Sequence, residues 1–246
     1  MILINGDSFT QCYNLKNPNN SWPIQLSNLL EHPVTNLALG GASNDRIYRT
    51  TKEYLITNTK PNHVIIGWTF HDRNEIFHHE GLYIRGLNTG SQSEIEYSPL
   101  DINNIHKNWI NFNLNVWINY RNWVYNILFL QNYFKSNGIN YTFFTACESS
   151  LIYEFLNGTD RALMLADQAW QWRDKKKYKA ERTIHDQYKE LVELCRLIDL
   201  NNWILPKSSM ADYLDQKGYK RDQTQHFYAD GYAAWANFMV DKVFNK

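Results

Sequence analysis

Short apolar runs alternate along the chain with longer segments in which apolar residues recur every three or four positions. Ile2-Leu3-Ile4 is rich in β-branched residues and is stopped by Asn5-Gly6-Asp7, the pattern of a buried strand ending in a sharp turn. Ser21 as a cap, Pro23 in the first turn and the stripe Ile24, Leu26, Leu29, Leu30 predict a helix. Val34 to Leu39 reads as a second strand that ends in Gly40-Gly41. Ser43 or Asn44 then caps a helix reaching Asn58, with Ile47, Thr51, Tyr54 and Leu55 on one face. His63 to Trp68, with Val64-Ile65-Ile66 inside it, is the clearest strand.

From residue 70 to 100 the rhythm breaks into glycines and short alternating runs, as expected of an insertion containing a hairpin. Asp101 to Lys135 is apolar nearly all round, including Trp109, Trp117 and Trp123, which predicts one long helix buried on more than one side. Tyr141 to Thr145 reads as a fourth strand, Leu151 to Leu200 as mostly helical, Trp203 to Leu205 as a short fifth strand, and Ala229 to Phe244 as a closing helix. Alternating strands and helices favour a parallel sheet wrapped on both faces. The expected fold is a three-layer α/β/α domain with a mostly parallel, flavodoxin-like five-stranded sheet. It spans 1–246 as a single domain.

Composition narrows the function classes. The 246 residues hold 25 Lys+Arg against 25 Asp+Glu, so the balance argues against bulk electrostatic binding of nucleic acid or an anionic membrane. Lys175-Lys176-Lys177, Lys179 and Arg182 are interleaved with Asp174 and Glu181, as on a solvated helix face. Cys12, Cys147 and Cys195 are odd in number and follow no zinc spacing, and His78-His79 lacks further ligands at metal spacing. Neither a metal nor an organic cofactor is implied. Four apolar residues before a Gly-Asp turn do not make a signal peptide, which predicts a cytoplasmic protein. A small neutral or locally bound substrate fits this balance better, with no nucleic acid and no membrane as partners; oligomeric state is left open.

In open parallel sheets ligands bind outside the carboxyl ends of the strands. Those ends hold Gly6-Asp7-Ser8, Gly40-Gly41 and Trp68 to Asn74, and His226 precedes the last helix. A hydroxyl, a base and backbone N–H donors converging there are the parts of nucleophilic acyl transfer. On ILINGDSFT at 2–10, NLALGGASND at 36–45, VIIGWTFHDRNE at 64–75 and HFYADGYAAWA at 226–236, the chain resembles the SGNH or GDSL hydrolases. Its Trp68-Thr69 and Arg73 pattern is similar to phage-encoded members.

The resemblance implies Ser8 as nucleophile, His226 as base, and the N–H groups of Ser8 and Gly41 as oxyanion donors. Two positions depart from the family. Its Asp, three residues before the His, is replaced by Gln223, so the resemblance passes the orienting role to Asp222, one residue further back. Its oxyanion Asn aligns with His71, so His71, Asn74 or the Thr69 hydroxyl is left as a candidate third donor. Arg73 could hold an anionic substrate group, and Trp68 and Phe70 could stack on a sugar or line an acyl pocket. The leading expectation is a serine esterase with a small-molecule or glycan ester substrate, plausibly deacetylating a carbohydrate. Its rival is a weak or inactive protein of the same fold that binds glycans or serves as a virion component. A nucleotide-binding reading fails because GDSFT and GGASND match no phosphate-cradling loop.

Overall fold

A computed structural model describes residues 1–71, 73–77, 83–87, 116–147, 151–157 and 184–245. In chain order its elements are β1 (Ile2–Asn5), α1 (Ser8–Gln11), α2 (Trp22–Leu30), β2 (Val34–Asn36), α3 (Asn44–Thr57) and β3 (His63–Trp68). There follow β4 (Asn74–Phe77), β5 (Tyr83–Leu87), α4 (Val116–Ser136), β6 (Asn140–Thr145), α5 (Leu151–Asn157), α6 (Ile184–Arg196), α7 (Met210–Gln216) and α8 (Ala229–Met239). Trp109, His78-His79 and the lysine run lie outside the described residues, as do residues 101–115 of the expected long helix.

β2, β1, β3 and β6 form one parallel sheet in that order. The chain steps from β1 outward to β2 and returns to the other side as β3, so strand order reverses between β1 and β3. That reversal opens a crevice at the carboxyl ends of the two strands. Among the described residues the sheet has four strands rather than the expected five. Trp203 makes only a single parallel bridge to Phe143, with Ile204 N–H donating to the Phe143 carbonyl at 2.8 Å. A 3-10 turn at Leu200–Asn202 precedes it, and Leu205 turns into the left-handed region before Pro206, so pairing cannot extend. β4 and β5 form a separate antiparallel pair with a register irregularity near Asn74, a hairpin where the sequence broke rhythm.

β1 is buried along its whole length and β3 from Val64 onward, and their side chains alternate between two cores. Leu3, Val64, Ile66 and Trp68 pack against Ile47 of α3, Tyr120, Trp123, Ile127 and Phe134 of α4, and Leu191 of α6. Ile2, Ile4, Ile65 and Phe144 pack against Trp22 and Leu26 of α2, Leu214 of α7, and Trp235 and Met239 of α8. Trp22, Trp68 and Trp235 are fully enclosed. Truncating such a side chain costs roughly 3–5 kcal/mol. No described helix is long and apolar enough to cross a membrane.

Candidate active site

The turn out of β1 is sterically determined. A Cβ on Gly6 would come within 2.2 Å of Thr10 Oγ1 and 3.0 Å of the Gly67 carbonyl, so only glycine lets α1 fold back this tightly. Asp7 caps α1, its Oδ1 accepting the Phe9 N–H at 3.0 Å. Ser8 is thus the first helical residue, 7% exposed, with its N–H among the donors that a helix start leaves unpaired.

The other Asp7 oxygen ties the two strands of the crevice together. Oδ2 accepts from Thr69 Oγ1 at 2.7 Å and from Arg73 Nη1 at 3.1 Å, and Arg73 also donates to Thr69 Oγ1 at 2.8 Å. The Asp7 side chain is fully buried and that of Arg73 is 15% exposed, its guanidinium lying 4.9 Å above the Phe70 ring. Asn44, at the start of α3, clamps the same turn. Its Oδ1 accepts the Thr69 N–H at 3.0 Å and its Nδ2 donates to the Thr69 and Phe70 carbonyls.

Gly41 occupies the left-handed region at φ +72°, and a Cβ there would meet nothing within 4 Å. Its loop is tied to α1 through Gly40 N–H, which donates to Gln11 Oε1 at 2.6 Å. The sequence candidates after β3 separate. The Thr69 hydroxyl hydrogen is committed to Asp7. The His71 ring stacks on Tyr120 of α4 at 3.9 Å and 16°. Asn74 opens β4, its side chain outside the described part. Trp68, expected to face substrate, is sealed in the core edge-on to Phe143, and that role is withdrawn.

His226 reaches this end from a hairpin turn. Arg221 bridges Phe227, Asp222 N–H donates to the His226 carbonyl at 2.8 Å, and Gln225 takes the left-handed conformation at φ 66°. Asp222 organises the turn: Oδ1 accepts from Thr224 N–H at 2.8 Å, Thr224 Oγ1 at 2.6 Å and His226 N–H at 3.2 Å. Its Oδ2 accepts from Asn14 Nδ2 at 2.8 Å, and Asn14 also donates to the Phe227 carbonyl. The imidazole packs on Phe9, the residue after Ser8, with ring centroids 4.8 Å apart. Its Nδ1 lies 2.9 Å from Thr224 Oγ1, and Nε2 is buried with no hydrogen-bond partner among the described residues.

Electrostatics follow from this placement. Burial lowers the His226 pKa below the ordinary imidazole value, outweighing the charges of Asp7 and Asp222, which raise it; Arg73 lowers it further. Burial raises the Asp222 pKa, but hydrogen bonds from Thr224 and Asn14 and from the His226 and Thr224 N–H groups prevail and hold it below the usual carboxylate value. At neutral pH the site therefore pairs an uncharged imidazole with an ionised carboxylate. Among the described residues, no group of three His, Cys, Asp or Glu is placed to hold a metal ion.

Thr224, Asn14, Asn44 and the bridging role of Asp7 were not among the sequence candidates. Asp222-Gln223-Thr224 does carry a readable signal, because an Asp accepting the N–H two residues on is a recurrent turn device.

A family model described as a family of unknown function, DUF6071, matches residues 13–160. No curated protein matches the chain. Among solved structures, the psychrotrophic esterase EstA from Pseudoalteromonas sp., solved inhibited by monoethylphosphonate, superposes with a TM-score of 0.51 at 12% identity, covering 99% of this chain and 96% of that one. TesA gives 0.50 at 10% identity over 98% and 97%. The acetyl xylan esterase AlAXEase gives 0.50 at 12% identity over 99% and 100%. These likenesses show a shared fold.

Proposed function

The chain belongs to DUF6071, a family of unknown function, and we propose that it is a serine hydrolase that cleaves an O-ester, with Ser8, His226 and Asp222 as its triad. The observation that carries the reading is the buried Nε2 of His226, left without a partner beside the segment that bears Ser8. A base must present a lone pair to the hydroxyl it activates, and an Nε2 engaged by no other described residue is free to do so.

In this reading Ser8 Oγ attacks the ester carbonyl carbon while its proton passes to His226 Nε2. The oxyanion is held by the N–H groups of Ser8 and Gly41, with His71 or Asn74 as the third donor; the Thr69 hydroxyl is the weaker choice because its hydrogen is engaged. Collapse breaks the ester C–O bond, and the departing alkoxide takes the proton from His226. Water then attacks the acyl-enzyme by the same proton route, releasing the acid and free Ser8. Asp222 compensates the imidazolium charge. Arg73, whose Nη1 is engaged by Asp7 and Thr69, and Phe70 beneath its guanidinium are the proposed substrate contacts beside the crevice. No metal or organic cofactor enters the scheme.

A carbohydrate O-acetyl ester is the proposed substrate, supported by the fold shared with an acetyl xylan esterase. The test is turnover of acetylated oligosaccharides and an acetyl aryl ester by wild type, Ser8→Ala and His226→Ala. Hydrolysis by wild type alone is the expected result; equal rates in all three would remove the triad.

A further inference from the structure

We infer that Thr224 is a positioning residue that links the carboxylate of Asp222 to the imidazole of His226 and fixes its tautomer. The inference rests on the hydrolase reading for its consequence in catalysis, though not for the tautomer itself.

The starting point is what Asp222 does not touch. Its Oδ1 is occupied by Thr224 N–H, Thr224 Oγ1 and the backbone N–H of His226, and its Oδ2 by Asn14. No hydrogen bond joins it to the imidazole ring. The reason lies in the chain: Asp222 stands four residues before the His, and it spends its side chain closing the turn whose left-handed residue is Gln225. A carboxylate so engaged reaches the ring only through an intermediary.

Thr224 Oγ1 has the right contacts, 2.6 Å to Asp222 Oδ1 and 2.9 Å to His226 Nδ1. A hydroxyl has one hydrogen, and an ionised carboxylate can only accept. The hydrogen in the 2.6 Å contact must therefore belong to Thr224, which leaves its oxygen only a lone pair to offer Nδ1. It follows that Nδ1 carries the ring hydrogen and donates it to Thr224, while Nε2 carries the lone pair. Charge developing on the ring during proton transfer is felt by Asp222 through a polarised chain, Nδ1–H to Oγ–H to Oδ1. The β-branch of Thr224 restricts χ1, which keeps the hydroxyl between its two partners.

The experiment records 15N spectra of the full chain with labelled histidine for wild type, Thr224→Val and Thr224→Ser, with His226→Gln assigning the signal. At neutral pH, wild type and Thr224→Ser should show a protonated Nδ1 and a pyridine-like Nε2, and Thr224→Val should shift toward the opposite tautomer. A wrong tautomer costs a triad about 10,000-fold in turnover. Thr224→Val, with mixed tautomers, should lose at least about 10-fold in kcat with little change in KM, and Thr224→Ser should recover most of it. A wild-type ring protonated on Nε2, or a Thr224→Val protein that keeps both tautomer and kcat, overturns the inference. If wild type proves inactive while the tautomer responds to Thr224, the hydrolase reading fails and the positioning stands. If wild type is active and both its rate and its tautomer are indifferent to Thr224, the positioning fails and the hydrolase reading stands.

Discussion

Asp7 has two tasks at one residue: one oxygen caps the helix that presents Ser8, and the other bonds Thr69 and Arg73 across the crevice. Removing one partner of such a buried ion pair strands the other's charge, at a cost of several kcal/mol. Asp7→Asn keeps the cap and loses the charge, so urea unfolding should show a loss of about 2–3 kcal/mol, discounted for the partial exposure of Arg73. A change within about 0.5 kcal/mol would mean the pair is energetically idle. The His226 pKa offers a second check. Because burial lowers it, the imidazole stays neutral below pH 6.5, and with His226 as the proposed base the acid limb of kcat/KM should have its midpoint below that value. Asp222→Asn removes a charge that raises the pKa, so its midpoint should move lower still while the rate falls. A wild-type midpoint above 6.5 would contradict the partly buried imidazole. The places of Ser8 after β1 and His226 before α8 were legible because their motifs are tied to those elements. Thr224 was not, since a bridging hydroxyl depends on how the turn closes. The expectation for Trp68 ignored parity: on β3 it shares a face with Val64 and Ile66, which point into the core.

Among the elements, β3 carries a titratable group at the end opposite the site. His63 is largely enclosed, its Nε2 2.8 Å from Thr142 Oγ1 on β6, and burial lowers its pKa to about 4. Unfolded, the same imidazole binds a proton below pH 6.5, so the unfolded state gains protons that the folded one refuses until about pH 4. Stability should therefore fall as pH drops through that window, by up to about 3 kcal/mol from this residue. Urea unfolding of His63→Gln should lose about 2 kcal/mol less than wild type between neutral pH and about pH 4.5; parallel losses would place the acid sensitivity elsewhere. The loop after β2 gives a further check at Gly41. A Cβ there meets open space, so Gly41→Ala should cost only the 1–2 kcal/mol or so of a left-handed alanine, measured by urea unfolding. A larger loss would mean the side chain collides with something. At this scale periodicity located the four strands of the parallel sheet, though it carried β2 on to Leu39 where pairing stops at Asn36. It overestimated the edge, because the Trp203 segment has strand-like composition but is framed by a 3-10 turn and a left-handed Leu205.

At the scale of the molecule, the order β2-β1-β3-β6 places the reversal of strand order between β1 and β3, and Asp7, Thr69 and Arg73 meet at that point. The α/β rhythm made this architecture readable in advance, since a parallel sheet covered on both faces demands continuous apolar strands and striped helices. Which side chains would cross the crevice depended on turn geometry that composition does not encode. The balanced charge agrees with a site whose working charges are local. The central claim is that Ser8 is an activated nucleophile, and the direct measurement is covalent labelling by a fluorophosphonate followed by mass spectrometry of the modified peptide. Wild type should label at Ser8, and folded Ser8→Ala and His226→Ala should not. A folded wild type that resists labelling would contradict the account and leave a non-catalytic binding protein on this fold.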